Sequence, residues 1–208
     1  MGGLGLKQER KLWRAGYRVV AGVDEVGRGA WAGPVVAAAV VLPPLYRELA
    51  AILREVNDSK KLTPRKREAL FPLICDTALA VGVGTASHQS IDAQGIVPAT
   101  HQAMRAALLN LCVVADYLLI DALCLPGLSV PQLGLIKGDA RVLSIAAASV
   151  VAKVWRDRWM IALDGDQPGY GFAAHKGYGT AAHRAALERL GACPAHRLSF
   201  APLRDRYK

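Results

Sequence analysis

The sequence predicts an α/β fold, an open sheet of short strands with helices on its faces, and three observations carry that prediction. Short apolar runs recur along the chain with helical spacings between them: Val19–Val23, Val35–Leu42, Leu79–His88, Tyr117–Ile120 and Leu133–Ile136. Tyr117–Ile120 is apolar throughout, as strands covered on both faces of a parallel sheet are. Three of the runs finish on a carboxylate, Asp24, Asp121 and, after Lys137-Gly138, Asp139. In open sheets with helices on their faces, ligands collect at the carboxyl ends of the parallel strands.

In chain order, residues 1–16 read as a loose glycine-rich start and a short basic helix bearing Lys7, Arg10, Lys11 and Arg14. The strands at 19–23 and 35–42 flank Asp24-Glu25-Val26-Gly27-Arg28-Gly29, and Pro43-Pro44 closes the second of them. A short helix is read over 45–56. Thr63-Pro64 then reads as N-cap and first residue of a helix running to Cys75. Arg65, Lys66 and Arg67 in its first turn oppose the helix dipole, which points to a bound anion there. After the alternating strand at 79–88, Ser90-Ile91-Asp92 opens a helical region, Pro98 marks a break, and Ala99–Cys112 has helical spacing. The Gly-x-Gly within the 79–88 strand is too common a pattern to indicate a nucleotide site. Arg141–Leu163 is the longest helix, with an apolar stripe through Leu143, Ala147, Val150 and Val154 and with Asp157 and Arg158 solvated beyond it. Gly165–Thr180, rich in Gly, aromatics and charge, suits an ordinary surface loop and equally contact with a nucleic-acid backbone and sugars. A last helix over Thr180–Leu190 and a basic tail over Arg197–Lys208 complete the chain.

At 208 residues the chain suits one domain, and 26 Lys and Arg against 17 Asp and Glu leave a net charge of +9. That excess favours a polyanion, nucleic acid before an anionic membrane. No apolar run has the ~20 residues of a spanning helix, and no signal-peptide core is evident at the start, so a cytoplasmic protein with no membrane role is expected. Cys75, Cys112, Cys124 and Cys193 stand singly and are expected reduced and mostly packed. Cys193-Pro-Ala-His196 resembles half of a zinc site, but no second half has suitable spacing.

The hexapeptide at 24–29 carries the chemistry. Asp-Glu before Gly-x-Gly also suits an ordinary polar hairpin. Adjacent carboxylates at the edge of an apolar run are costly to desolvate, however, unless a cation or donors meet them. Successive strand residues face opposite ways, so Asp24 and Glu25 share a site only if the alternation breaks, which Gly27 and Gly29 would allow. Several strand-end carboxylates with no rich set of His or Cys ligands describe an oxygen site for a hard cation, Mg²⁺ or Mn²⁺. In a basic protein the matching reaction is phosphodiester hydrolysis by two ions. No phosphate-binding Gly-x-x-x-x-Gly-Lys loop, nucleophile elbow or His-Glu-x-x-His pair is present.

Val23-Asp24-Glu25-Val26-Gly27-Arg28-Gly29 followed by Ala32-Gly33-Pro34-Val35-Val36 resembles the signature of the type 2 ribonucleases H, the ribonuclease HII family. The resemblance runs on through Asp58-Ser59-Lys60-Lys61-Leu62, Leu119-Ile120-Asp121, Lys137-Gly138-Asp139, Ala147-Ala148-Ser149 to Lys153, Arg156-Asp157, and Tyr170-Gly171-Phe172 to Tyr178. It implies a ribonuclease H-like fold, a mixed central sheet flanked by helices. The catalytic domain would span residues 1–180, with a small helical C-terminal extension and basic tail at 181–208. The implied activity is endonucleolytic cleavage of the RNA strand of RNA–DNA hybrids, and cutting 5′ of single ribonucleotides embedded in duplex DNA, leaving 3′-hydroxyl and 5′-phosphate ends. Asp24, Glu25, Asp121 and Asp139 would be catalytic and would hold two Mn²⁺ or Mg²⁺ ions. Gly27, Arg28 and Gly29 match the loop that senses the ribose 2′-hydroxyl, Tyr178 the tyrosine that works with it, and Ser59, Lys60 and Lys61 a phosphate-contacting segment. A monomer acting on hybrid and on ribonucleotide-containing DNA is expected, with any replication or repair partner unidentified.

Departures from the family pattern are few. Ala122 stands where glycine is usual after the third carboxylate, so the backbone there is expected to differ slightly, and Ala30-Trp31 replaces a commoner Pro-Leu pair. Asp116 opens the 117–120 strand rather than closing it, which favours Asp121 as the ligand. The alternatives are a ribonuclease HIII-like hybrid nuclease, which typically has Gly-Lys-Gly in the loop and an extra N-terminal domain, and a non-catalytic hybrid-binding protein, which would be expected to have lost a carboxylate.

Overall fold

The structure, a computed structural model, describes residues 4–44 and 48–205. In chain order the elements are α1 (Lys7–Arg14), β1 (Val20–Val26), β2 (Val35–Val41), α2 (Leu49–Ile52), a 3-10 turn at Ser59–Lys61, α3 (Pro64–Thr77), β3 (Ala80–Ala86), α4 (His88–Gln94), α5 (Ile96–Leu109), β4 (Tyr117–Asp121), β5 (Gln132–Leu135), a 3-10 turn at Gly138–Ala140, α6 (Leu143–Asp166), α7 (Phe172–His175) and α8 (Ala181–Leu190). The helix read over 45–56 falls partly on residues outside those described, as does the end of the tail.

The sheet is mixed, in the order β3-β2-β1-β4-β5. β1 pairs antiparallel with β2 and parallel with β4, β2 antiparallel with β3, and β4 parallel with β5. Strand β2 is the apolar heptad Val-Val-Ala-Ala-Ala-Val-Val, buried at every residue. Its alternation feeds two cores. Val36, Ala38 and Val40 pack with α3 and α6, while Val35, Ala37, Ala39 and Val41 pack with Ile91 of α4 and with Ala103, Met104 and Ala107 of α5. Full burial of each such valine stabilises by about 1.5–3 kcal/mol.

The Gly-x-Gly of β3 is explained by helix packing. A Cβ on Gly82 would stand 2.1 Å from the Ala107 carbonyl, and one on Gly84 2.2 Å from that of Ala103, so α5 lies against bare backbone. The break before α5 is at Gly95, with φ 87°, and not at Pro98, which sits in the helix's first turn where its missing N–H is harmless. Thr63 caps α3 as read from sequence, its hydroxyl accepting the Lys66 N–H at 3.2 Å. The bound-anion explanation for that helix's basic first turn is not needed for two of its three cations. Lys66 pairs with Glu55 at 2.6 Å, and Arg67 donates to the carbonyls of Ser59 (2.9 Å) and Leu62 (2.6 Å). Asp157 is likewise not solvated: it is largely buried between Lys153 (2.7 Å) and Arg67 (3.5 Å). All four cysteines are free, but Cys112 and Cys124 are exposed rather than packed. Among the described residues no helix is long and apolar enough to cross a membrane.

Candidate active site at the carboxyl ends of the parallel strands

Strands β1, β4 and β5 run parallel, so Asp24 and Glu25, Asp121, and Asp139 in the turn after β5 all lie at one end of the sheet. The β1–β4 register ends at Val23↔Ile120, whereas β1 continues beside β2 to Val26↔Val36. The last residues of β1 therefore overhang the end of β4. That pairing stays regular, which corrects the expectation that the alternation breaks at Asp24-Glu25: the two side chains leave β1 in opposite directions, and the glycines only follow the strand. What places both near Asp121 is the overhang.

Asp24 is buried on the α6 side, its Oδ1 accepting the Glu25 N–H at 2.7 Å. Burial, then the charges of Glu25 and Asp121, raise its pKa well above the carboxylate range, against a hydrogen bond from Ser149. Glu25 is raised by burial and held back by its bond to Arg28, whose Nη1 lies 3.0 Å from Oε1; its Oε2 is buried with no partner. Asp121 Oδ1 accepts the Gly138 N–H at 2.7 Å, tying the end of β4 to the turn that carries Asp139. Asp139 is raised by burial and by Asp121 and Asp58. Lys60 is raised: burial lowers it, but the fields of Asp24, Asp58, Asp139 and Asp121 outweigh that. Asp121 is thus within electrostatic reach of each of the other three predicted carboxylates. As they stand, no three His, Cys, Asp or Glu side chains among the described residues are gathered closely enough to hold a metal ion. The donor set still fits a hard cation: it is all oxygen, mutually repelling, and includes an orphaned buried carboxylate oxygen.

Beside this acidic edge is a cleft of about 610 Å³ lined by Glu25, the Gly27–Gly29 loop, Ser59, Lys60, Ser149, Lys153 and Tyr178. Of the residues predicted for substrate, Gly27, Arg28, Gly29, Ser59, Lys60 and Tyr178 line it, while Lys61 is exposed outside it. Gly27, at φ 90°, permits the loop to lie on Arg156, since a Cβ there would stand 2.1 Å from Nε. Lys153, for which the family resemblance implies no role, reaches the cleft with Nζ 5.8 Å from the Tyr178 ring centre. Asp116 lies at the far end of the sheet, its carboxylate accepting the N–H groups of Arg18 (2.7 Å) and Val19 (3.0 Å). Ala122, which stands where glycine is usual in the family, has a positive φ of 53°, a conformation glycine adopts more readily than alanine. Trp31 is half-buried against His183, with the Arg184 guanidinium 5.5 Å from its ring. His196 accepts the Cys193 N–H at 2.9 Å, a local turn in place of half a zinc site.

Sequence reasoning missed Arg197 and His183, and the burial of Arg156 and His196, all of them polar groups behind the cleft. Their signal is weak because each sits in a helix or tail where a solvated charge is the default reading.

The sequence model of the family described as ribonuclease HII matches residues 21–203. The ribonuclease HII of Roseiflexus castenholzii is 56% identical over 200 residues, covering 96% of this chain and 89% of that protein. That of Chloroflexus aggregans is 55% identical over 198 residues, covering 95% and 93%. Among solved structures, the ribonuclease H2 of Pyrococcus horikoshii superposes with a TM-score of 0.74 at 27% identity, over 89% of this chain and 95% of that one. Sequence and fold agree, and the chain belongs to the ribonuclease HII family, endonucleolytic hydrolases of the RNA strand of RNA–DNA hybrids.

Proposed function

We propose that the cleft receives an RNA–DNA duplex and that the chain also cuts 5′ of a single ribonucleotide embedded in DNA, with two divalent ions held by Asp24, Glu25, Asp121 and Asp139. The observation that carries this reading is the junction of the coupled strand-end carboxylates with a cleft whose wall is glycine backbone, cations and one tyrosine. Mg²⁺ or Mn²⁺, when bound, would supply a water of lowered pKa and a counter-charge for the leaving oxygen.

The rest is the work of the chain. Backbone N–H groups of the Gly27–Gly29 loop are open to a ribose 2′-hydroxyl, the group that distinguishes RNA from DNA. Arg28 is engaged by Glu25, so its guanidinium is aimed at the acidic edge rather than free in solvent. Lys60 and Lys153 face the same cleft and suit the phosphates either side of the cut. Tyr178 offers a ring for the sugar or base at the RNA-to-DNA junction. The N-terminal 1–180 would carry catalysis and 181–208 would support it.

The test is a labelled DNA duplex with one ribonucleotide, incubated with Mg²⁺, Mn²⁺ or EDTA beside an all-DNA control. One cut 5′ of the ribonucleotide, absent with EDTA and from the control, is the expected result. Cutting of long hybrids alone would leave the ribonuclease HIII-like alternative standing.

A further inference from the structure

Three segments distant in sequence meet behind the cleft: residues 27–34, the turn at 175–179 that carries Tyr178, and residues 193–197 after α8. Buried side chains join them through backbone carbonyls. Arg156 is fully buried and donates from Nε to the Pro34 carbonyl (2.9 Å), from Nη2 to that of Ala32 (3.1 Å) and from Nη1 to that of Lys176 (3.0 Å). Arg197, also fully buried, donates from Nε to the Gly33 carbonyl and from Nη1 to that of Arg28, both at 2.9 Å. Neither guanidinium has a carboxylate within ion-pair distance among the described residues. A buried cation without a counter-ion is costly, and these two sit under the loop that would meet the ribose. Between the segments, the Trp31 N–H donates to the Gly177 carbonyl and the Arg197 N–H to that of Trp31, each at 2.8 Å.

A second link runs through two histidines whose tautomers follow from their partners. His183 Nδ1 lies 3.0 Å from the Tyr178 carbonyl, which can only accept, so Nδ1 carries the proton. His183 Nε2 is then the acceptor in its 3.0 Å contact with His196 Nε2, which must donate. His196 Nδ1, left unprotonated, accepts the Cys193 N–H at 2.9 Å. The result is one directed chain of hydrogen bonds from the backbone of Cys193 to that of Tyr178.

We propose that Arg156, Arg197 and the His183–His196 pair are positioning residues that hold the Gly27–Gly29 loop and Tyr178 at one fixed separation, and so set how strictly a ribose is required at the cut. This rests on the reading of the cleft given above. A lone embedded ribonucleotide offers one 2′-hydroxyl in one register, so it tolerates little error in that separation. A long hybrid offers a 2′-hydroxyl at every step and can be cut wherever the fit is adequate.

The experiment compares kcat and KM on a duplex with one ribonucleotide and on a long hybrid, well below each variant's Tm, for His196→Leu, His196→Gln, Arg197→Met and Arg197→Lys. The Gln amide N–H can stand in for the imidazole N–H toward His183, so His196→Gln should retain what His196→Leu loses. His196→Leu and Arg197→Met should lose roughly 10- to 100-fold in kcat on the single-ribonucleotide duplex, the scale of a misplacement near 1 Å, and less than about threefold on the hybrid. Equal losses on both substrates that track Tm, with no rescue by Gln or Lys, would show a structural role only and overturn the proposal. Should Arg197→Met not fold, the His196 pair carries the same comparison. Wild-type protein that cuts hybrids but not the single-ribonucleotide duplex overturns the underlying reading instead, and is seen before any variant is compared.

Discussion

The hydroxyls of Ser149 on α6 and Ser59 lie 2.8 Å apart in a buried hydrogen bond between residues ninety apart in sequence. Ser149 is also hydrogen-bonded to Asp24. One small side chain thus couples the first carboxylate of β1 to the turn that presents Lys60. With Ser149→Ala, the Ser59 hydroxyl loses its partner in a buried place, and a loss of about 1–2 kcal/mol is expected. Urea unfolding should show it as a lower midpoint at unchanged slope.

Asp24→Asn should remove cleavage while hybrid binding persists, because the carboxylate serves the metal and the basic surface the duplex. The Asn side-chain oxygen can still accept the Glu25 N–H, and the charge repelled by Glu25 and Asp121 is gone. The variant should therefore melt above wild type. A lower Tm, or lost binding in a gel assay at unchanged fold, would contradict this division of labour.

Titrating Mn²⁺ or Mg²⁺ should raise the Tm of wild-type protein, since a ligand that binds only the folded state stabilises it by mass action, about 2.7 kcal/mol at a hundred times Kd. Asp24→Asn combined with Asp121→Asn should abolish the shift. Thermal melts with and without EDTA report this independently of activity.

Tyr178→Ala should reduce cleavage of single-ribonucleotide duplexes more than that of long hybrids, because one sugar contact matters most when only one sugar is RNA. The ratio of the two rates, measured with the same preparation, is the deciding quantity.

Burial lowers the pKa of both His183 and His196 to about 4. A histidine whose folded pKa is below its unfolded value, near 6.5, gives stability that is complete above pH 6.5 and lost as pH falls toward 4, on the order of 3 kcal/mol for each of the two. The buried carboxylates, with raised pKa values, act in the opposite sense over part of that range. The histidine share is therefore the difference between wild type and His196→Gln in Tm measured from pH 7 to pH 4.5, and wild type should lose more.

Much of the fold was legible locally. Five apolar runs marked the five strands, and the carboxylates Asp24, Asp121 and Asp139 were read at the end of the sheet where the candidate site lies, because short apolar runs bounded by polar turns carry their burial in their own pattern. The limits were equally local: Asp157 on α6 and the cations of α3 read as solvent- or anion-facing because the sequence does not say which partners a fold brings up.

By itself, then, the sequence determined the strands, the long helix α6, the family, and which carboxylates stand at strand ends. Only the tertiary structure decided that β1 overhangs β4, so that Asp24 and Glu25, leaving the strand on opposite faces, come within the field of Asp121, and that Arg156, Arg197, His183 and His196 turn inward to bind the carbonyls of the cleft's two loops or each other. The physical reason is that periodicity encodes burial along one element. A buried arginine or histidine is stable only where acceptors from other segments surround it, and those contacts exist only once the segments have been brought together.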